Sequence, residues 1–372
     1  MLKVFCSPSR YTQGKHATAA LGAELQTLGL DGPALIVAGG SAVRLLAETW
    51  SQSLGAVGIR YEIHEFGGEC SLAEVERIKA TAAKGAARVV IGAGGGKVLD
   101  AARAAAADLD LPVVNCPTVA STDAPTSALS VIYDEAGTFQ QYRFYRRNPD
   151  LVLVDTAVIA CSPPRLFVAG MGDAMSTYFE ARTSVAAHRK NMRGGGSTIS
   201  ALALAELCYR TLLADGVAAL SALRSQAVTP AFERVVEANT LLSGLGFESS
   251  GLAAAHAIHN GLTAVHATHD YLHGEKVAIG VLVQLVLEGA PKSILEEVLG
   301  FFVAVGLPVS LAQIGLKEVS RETLRQIADR ATAAGETIHN EPFEVTADMV
   351  VDAMLAVDAL GRTCVASSPQ AY

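Results

Sequence analysis

No two cysteines stand at C-x-x-C spacing. Cys6, Cys70, Cys116, Cys161, Cys208 and Cys364 are scattered along the chain, which excludes a cysteine-built metal site and fits reduced thiols in a cytoplasmic protein. Dense basic runs are missing as well. The richest, Arg143 to Arg147, sits in a chain of net charge −8, so no nucleic-acid partner is expected. No apolar run approaches the ~20 residues that cross a bilayer. Val277 to Leu287 is apolar but holds Gln284, so no membrane partner is expected. The first residues, MLKVFCSPSRYTQGK, lack the apolar core of a secretory signal. What remains is a well-packed globular chain: 372 residues, 50% hydrophobic and 18% charged, enough for two domains at roughly 100–200 residues each.

The first part alternates β-rich runs with helical stretches. Leu35 to Val37, Ile59 to Ile63, Arg88 to Ile91 and Pro112 to Asn115 read as strands, with helices at Ala42 to Leu54 and Lys97 to Ala107. Ser71 and Glu74 have the spacing of a capping box at the head of another helix. Repeated β-α-β units imply a mostly parallel sheet covered by helices, with ligands at the carboxyl ends of its strands. Three further strands follow, at Leu129 to Tyr133, Thr138 to Tyr145 and Leu151 to Asp155. Beyond Pro163-Pro164 the pattern is almost wholly helical, including 164–187, 229–246, 250–264 and 274–288. The expected organisation is an α/β Rossmann-like domain over 1–162 and an all-α domain over 163–372.

Three constellations carry possible chemistry. The first is GAGGGKVLD, Gly92 to Asp100. Its glycines allow a diphosphate to approach the backbone, the following helix aims N–H groups at an anion, and Lys97 suits a phosphate or ribose oxygen. A tight strand-helix turn without a ligand is the alternative, and the loop fits neither G-x-G-x-x-G nor G-K-[ST]. The second is PTVASTDAPTSALS, Pro117 to Ser130, rich in hydroxyls around Asp123. It suits a polyol or nicotinamide, or is simply a hydroxyl-rich turn. The third is histidine: His256, His259, His266, His269 and His273 fall within one short stretch, His256 and His259 on one helical face. A metal site and hydrogen-bonded core histidines are both open. The pattern is not H-E-x-x-H, so a zincin protease is not supported. A carboxylate is wanted as a further ligand. Asp173 is one candidate, placed at or near a helix start where an N-cap role is equally open.

Long strings across nearly the whole chain resemble the glycerol dehydrogenases of the iron-containing (group III) alcohol dehydrogenase superfamily. They are SPSRYTQG, FGGECS, GGGKVLD, ASTDAPTSALSVIY, NPDLVLVDT, VVEANTLLSGLGFESSGLAAAHAIHNGLTA, HGEKVA and AAGETIHN. The resemblance implies a dehydroquinate synthase-like fold, with an N-terminal dinucleotide-binding domain, a C-terminal helical domain and an active site in the cleft between them. It implies Asp173, His256 and His273 as ligands of a catalytic Zn²⁺, with Fe²⁺ an alternative, and His259, His266 and His269 around them. It makes Asp123 the polyol contact and Gly94, Gly95, Gly96 and Lys97 the pyrophosphate loop. Thr118, Ser121, Ser127, Leu129 and Tyr133 match positions lining the nicotinamide half of the cofactor. The implied reaction is hydride transfer between glycerol, or a related vicinal diol, and NAD(P)⁺. His269 and Asp123 are candidates for proton removal. A homo-oligomer, an octamer, is implied on the same ground.

One departure concerns the cofactor. Where NAD-using members carry a ribose-binding aspartate, this chain has Gly40, followed by Ser41 and, one turn on, Arg44. That opens NADP use, with NAD as the default. Dehydroquinate synthases and glycerol-1-phosphate dehydrogenases are the alternatives, but the Ser/Thr loop lacks the basic residues that a phosphate-bearing substrate needs. A non-catalytic nucleotide-binding protein is set against the joint presence of Asp173, His256 and His273.

Overall fold

The chain divides into two compact units in the computed structural model, which describes all residues except 136, 319 and 368–372. One unit holds Ser7–Pro163 and Ser221–Gly244; the other holds Met1–Cys6, Pro164–Leu220 and the chain from Leu245. This differs from a single break near residue 163, because two segments change sides. Ser221–Gly244 joins the first unit through polar anchors. Gln13 Nε2 donates to the Glu233 carbonyl (2.9 Å), and Asn239 Nδ2 donates to the Ala120 carbonyl (3.0 Å). The first residues join the helical unit, where Asn191 Nδ2 donates to the Val4 carbonyl (2.8 Å).

The sheet unit contains β1 (Tyr11–Gly14), α1 (Leu21–Thr27), β2 (Ala34–Ala38), α2 (Gly40–Gly55), β3 (Tyr61–Glu65), α3 (Leu72–Lys84), β4 (Val89–Gly94), α4 (Gly96–Asp108), β5 (Val113–Pro117), β6 (Leu129–Tyr133), β7 (Phe139–Phe144), β8 (Leu151–Asp155) and α5 (Thr156–Ala160). Six strands form a parallel sheet in the order β1-β8-β5-β4-β2-β3, and β6 and β7 form a separate antiparallel pair. Along β2, Ile36 and Ala38 face one core with Trp50 and Leu25, while Leu35 and Val37 face another with Ile78 and Ala102. Both faces are therefore dry, as a parallel sheet requires. The strand order reverses between β2 and β4, and ligands of such sheets bind at that switch point, beyond the strand ends. One strand is added and two expectations shift. Polar YTQG forms β1, which apolar patterning does not reveal. The strand expected at Ile59 to Ile63 starts at Tyr61. Only half of the capping box forms: Ser71 Oγ accepts from Glu74 N (3.2 Å), but the Glu74 carboxylate turns to Gly67 N (3.0 Å) and Arg77 (2.6 Å).

The remaining described elements are helices, the α-helices being α6 (Pro164–Ala186), α7 (Ile199–Arg224), α8 (Pro230–Glu237), α9 (Ser243–Ser250), α10 (Ala254–Thr263), α11 (His273–Leu287), α12 (Lys292–Val305), α13 (Arg321–Ala331) and α14 (Ala347–Ser367). The helix expected over 229–246 breaks into α8, a π-turn at Ala238–Leu242, and α9. In the helical unit α11 is apolar nearly all round, Val277 to Leu285 being buried, and it packs on α6, α10 and α14. No helix among the described residues is long and apolar enough to cross a membrane.

Candidate functional site

In the helical unit, backbone contact brings two helices close enough for their side chains to meet. A Cβ added at Gly172 would lie 2.4 Å from the Gly274 carbonyl oxygen, and one at Gly274 would lie 1.8 Å from that of Ala169. Glycine at both positions lets α6 and the start of α11 touch. Asp173 and His273 stand beside these contacts, with Asp173 Oδ1 3.0 Å from His273 Nε2. His256, near the start of α10, brings its Nε2 to 3.6 Å from the same oxygen. Asp173 is in the interior of α6, not at a helix start, because Pro164 opens that helix well upstream. Its side chain points toward His256 and His273.

One carboxylate oxygen and two imidazole nitrogens lie within 4.8 Å of one another. A tetrahedral ion with bonds of about 2.1 Å needs donors roughly 3.4 Å apart, and the two measured separations bracket that value. The donor set fits a divalent metal with an open position.

Each imidazole is held by its other nitrogen. Glu180 lies one further stretch along α6, at i+7 from Asp173 and so on the same face. Its Oε2 is 2.6 Å from His256 Nδ1, and its Oε1 accepts from the Ala253 and His256 N–H groups (2.9 and 3.0 Å). His273 Nδ1 lies 2.9 Å from His259 Nε2, and His259 Nδ1 lies 3.2 Å from Asn260 Oδ1. Asn260 in turn donates to Glu336 (2.9 Å). Since an amide oxygen only accepts, the chain assigns His259 a proton on Nδ1 and leaves its Nε2 to accept from His273. Both His256 and His273 thus aim Nε2 at Asp173 Oδ1, the outer-shell orientation that metal-ligating histidines use.

The electrostatics agree. Burial raises the Asp173 carboxyl, but His273 and His256 override it and hold Asp173 well below the usual carboxylate range. Burial pulls His256 down, and the Glu180 and Asp173 carboxylates override it, so His256 sits well above an ordinary imidazole. Burial, followed by the charge of His273 and Lys276, pushes His259 well below, so it is neutral near pH 7. His269 is exposed, its Nε2 3.1 Å from the Thr263 carbonyl, and His266 is its ring neighbour. Neither belongs to the group around Asp173. His259, rather than His269, is the histidine built into the site.

In the sheet unit, Gly40 and Ser41 follow β2, Gly94, Gly95, Gly96 and Lys97 lie at the end of β4, Thr118 and Ser121 follow β5, and Leu129 and Tyr133 lie on β6. Gly94 ends β4, and Gly95 is the extended N-cap of α4, where no side-chain cap hydrogen bond forms among the described residues. Gly94 is packed, since a Cβ there would meet Val98 at 2.6 Å. At Gly95 and Gly96 an added Cβ would meet nothing closer than 3.5 Å. Those two glycines leave an open approach to uncapped backbone donors, which fits a diphosphate. Lys97 Nζ is 2.7 Å from Glu69 Oε2 and 5.3 Å from the centre of the Tyr133 ring. Thr118 N donates to the Gly94 carbonyl (3.0 Å), joining the two loops. Gly40 and Ser41 open α2, which also lacks a side-chain cap, beside β4.

The loop from Thr118 to Ala128 is clamped on both sides. Arg103, fully buried and paired with Asp100 (2.8 Å), donates to the Ala124 carbonyl (2.5 Å) and to the Leu129 carbonyl. Asn115 Nδ2 donates to the Pro125 carbonyl (2.7 Å). From the π-turn comes Asn239, bonded to Ala120, and from the first residue of α9 comes Ser243, whose Oγ lies 3.2 Å from Asp123 Oδ2. Ser127 is buried, while Ser121, Leu129 and Tyr133 are half-buried. Glu180, Asp100, Arg103, Asn115, Asn239 and Ser243 escaped sequence reasoning. Two spacings could have flagged some of them: Glu180 at i+7 from Asp173, and Asp100 and Arg103 at i,i+3 on the helix after the glycine loop.

The iron-containing alcohol dehydrogenase family matches over residues 8–156. The glycerol dehydrogenase of Citrobacter freundii is 50% identical over 97% of this chain and 99% of its own. A glycolaldehyde reductase of Halobacterium salinarum is 47% identical over 97% of this chain and 99% of its own. The solved structure of the glycerol dehydrogenase of Schizosaccharomyces pombe superposes with a TM-score of 0.95 at 38% identity, over 99% of this chain and 94% of that one. The chain belongs to the glycerol dehydrogenase group of the iron-containing alcohol dehydrogenase family.

Proposed function

We propose that this chain is an NAD-dependent, metal-containing oxidoreductase that interconverts glycerol and dihydroxyacetone. The observation that carries the reading is the convergence of Asp173, His256 and His273, each histidine fixed by a second partner, in a chain half identical to glycerol dehydrogenases. Zn²⁺ is the metal proposed, with Fe²⁺ the alternative that the same donor set accepts. When bound, the metal supplies Lewis acidity toward a substrate hydroxyl, and the nicotinamide accepts the hydride.

The protein's own groups hold and orient. Asp173, His256 and His273 hold the metal, while Glu180 and His259 keep both Nε2 atoms aimed at it. Asp123, held by Ser243 on a loop clamped by Arg103 and Asn239, accepts hydrogen bonds from a polyol. Gly94, Gly95, Gly96 and Lys97 bind the pyrophosphate. Thr118, Ser121, Ser127, Leu129 and Tyr133 surround the nicotinamide half. The glycolaldehyde reductase relative supports a substrate class in which adjacent carbons both carry oxygen. We further propose a cytoplasmic homo-oligomer, an octamer, and limited NADP use through Gly40 and Ser41. A panel of glycerol, 1,2-propanediol and ethanol with NAD⁺ tests the reading. Turnover of the two diols with ethanol inert supports it, and ethanol as the best substrate contradicts it.

A further inference from the structure

Gly40 removes the carboxylate that a side chain there could offer, yet the space beside it is not without one. β3 is the edge strand beyond β2, and its last residue, Glu65, pairs in register with Ala38. The Glu65 side chain folds back over the start of α2, so that a Cβ added at Gly40 would lie 2.9 Å from Glu65 Oε1. Absence of a side chain at 40 is what lets the neighbouring strand's carboxylate in. Arg44 NH1 approaches the same point at 3.4 Å, so one anion and one cation flank it.

We propose that Glu65 reads the adenosine ribose of the cofactor, doing from β3 what an acidic side chain at the end of β2 would otherwise do. The proposal rests on the dinucleotide reading of the sheet unit and deepens it. The diphosphate loop follows β4, and β2 is the next strand outward. The ribose of a dinucleotide gripped at Gly95 and Gly96 would extend toward the β2 end, where Gly40 leaves room. Glu65 is exposed, and as a carboxylate it accepts from the 2′- and 3′-hydroxyls by charge-assisted hydrogen bonds. It also repels a 2′-phosphate at the same place. Arg44 acts in the opposite sense, which makes discrimination against NADP⁺ incomplete. The chain therefore prefers NAD⁺ despite its Gly40-Ser41 turn, and a single carboxylate sets the preference.

Calorimetric Kd values for NAD⁺ and NADP⁺ with wild type and Glu65→Gln test this without turnover. Glu65 touches solvent, so the substitution leaves the fold intact, which circular dichroism and Tm check. The expected result is tighter NAD⁺ than NADP⁺ binding in wild type. In Glu65→Gln, NAD⁺ weakens roughly 10-fold and NADP⁺ tightens, the size expected for one charge-assisted hydrogen bond and the removal of one repulsion. Tight NAD⁺ binding that Glu65→Gln leaves unchanged overturns the role of Glu65 and leaves the dinucleotide reading standing. So does a wild type that prefers NADP⁺. Failure of wild type to bind either nucleotide overturns both.

Discussion

His256 and Glu180 act as one group: Nδ1 lies 2.6 Å from Oε2, and the backbone N–H of the same histidine donates to the other carboxylate oxygen at 3.0 Å. The imidazole is fixed in tautomer and in position by one fully buried carboxylate. Replacing Glu180 by Gln keeps an acceptor but removes the charge. Metal affinity, measured by competition with a chromophoric chelator, is expected to fall by about 10- to 100-fold, as for other outer-shell partners. Unchanged affinity would show that Glu180 has no such role.

The crossing of α6 and α11 leaves no volume for a methyl group. Gly274→Ala places a Cβ 1.8 Å from a backbone oxygen that cannot rotate away. The helices must part, with a cost of about 1–3 kcal/mol or more, and Asp173 and His273 part with them. Thermal unfolding should shift down and metal binding should weaken together. A variant with wild-type Tm and metal affinity would show that the close contact is not what builds the site.

Glu341 gives the helical unit a pH dependence of its own. It is buried, Oε1 accepts from Ala254 N (3.2 Å), and Oε2 has no hydrogen-bond partner among the described residues. Burial, reinforced by Glu288 and Glu180, pushes its carboxyl up to about 8, against 4.5 for the unperturbed group. Between those values the unfolded chain has lost this proton and the folded chain keeps it. Stability from this group is thus complete below about pH 4.5 and is lost as pH rises toward 8. Glu341→Gln removes that slope. Urea midpoints compared at pH 5.5 and 8 should fall less in the variant than in wild type. An equal fall in both would show that Glu341 ionises normally.

Asp123 is fixed by its partner as much as by its loop. Ser243→Ala removes the 3.2 Å contact to Oδ2 but leaves the Arg103 and Asn239 clamps. Under the proposed role, glycerol KM rises several-fold at unchanged stability, while the Kd for NAD⁺ holds. A loss of NAD⁺ binding instead would assign Asp123 to the cofactor.

Much of the sheet unit was readable because parallel strands buried on both faces announce themselves as short apolar runs, as Leu35 to Val37 and Arg88 to Ile91 do. β1 did not, because Tyr11–Gly14 is an edge strand of polar residues held by pairing to β8. The side change of Ser221–Gly244 was hidden because its anchors, Gln13, Ala120 and Asp123, are distant in the chain. The metal set shows the limit most clearly. Helical spacing joins His256 to His259, yet the structure puts His259 one step back, behind His273. Spacing on one helix says nothing of which neighbouring helix supplies the third side chain. Gly172 and Gly274, which decide that, look in sequence like helix breakers. Asp173 was identified through resemblance, whereas local pattern suggested a cap.

Metal removal tests the central claim most directly. Protein dialysed against a strong chelator, then assayed with glycerol and NAD⁺ before and after addition of Zn²⁺ or Fe²⁺, should lose NADH formation. One equivalent of metal per chain should restore it, with dihydroxyacetone as product, and should restore nothing in His273→Ala. Full activity of the stripped protein, or no oxidation of glycerol under any metal condition, would contradict the account.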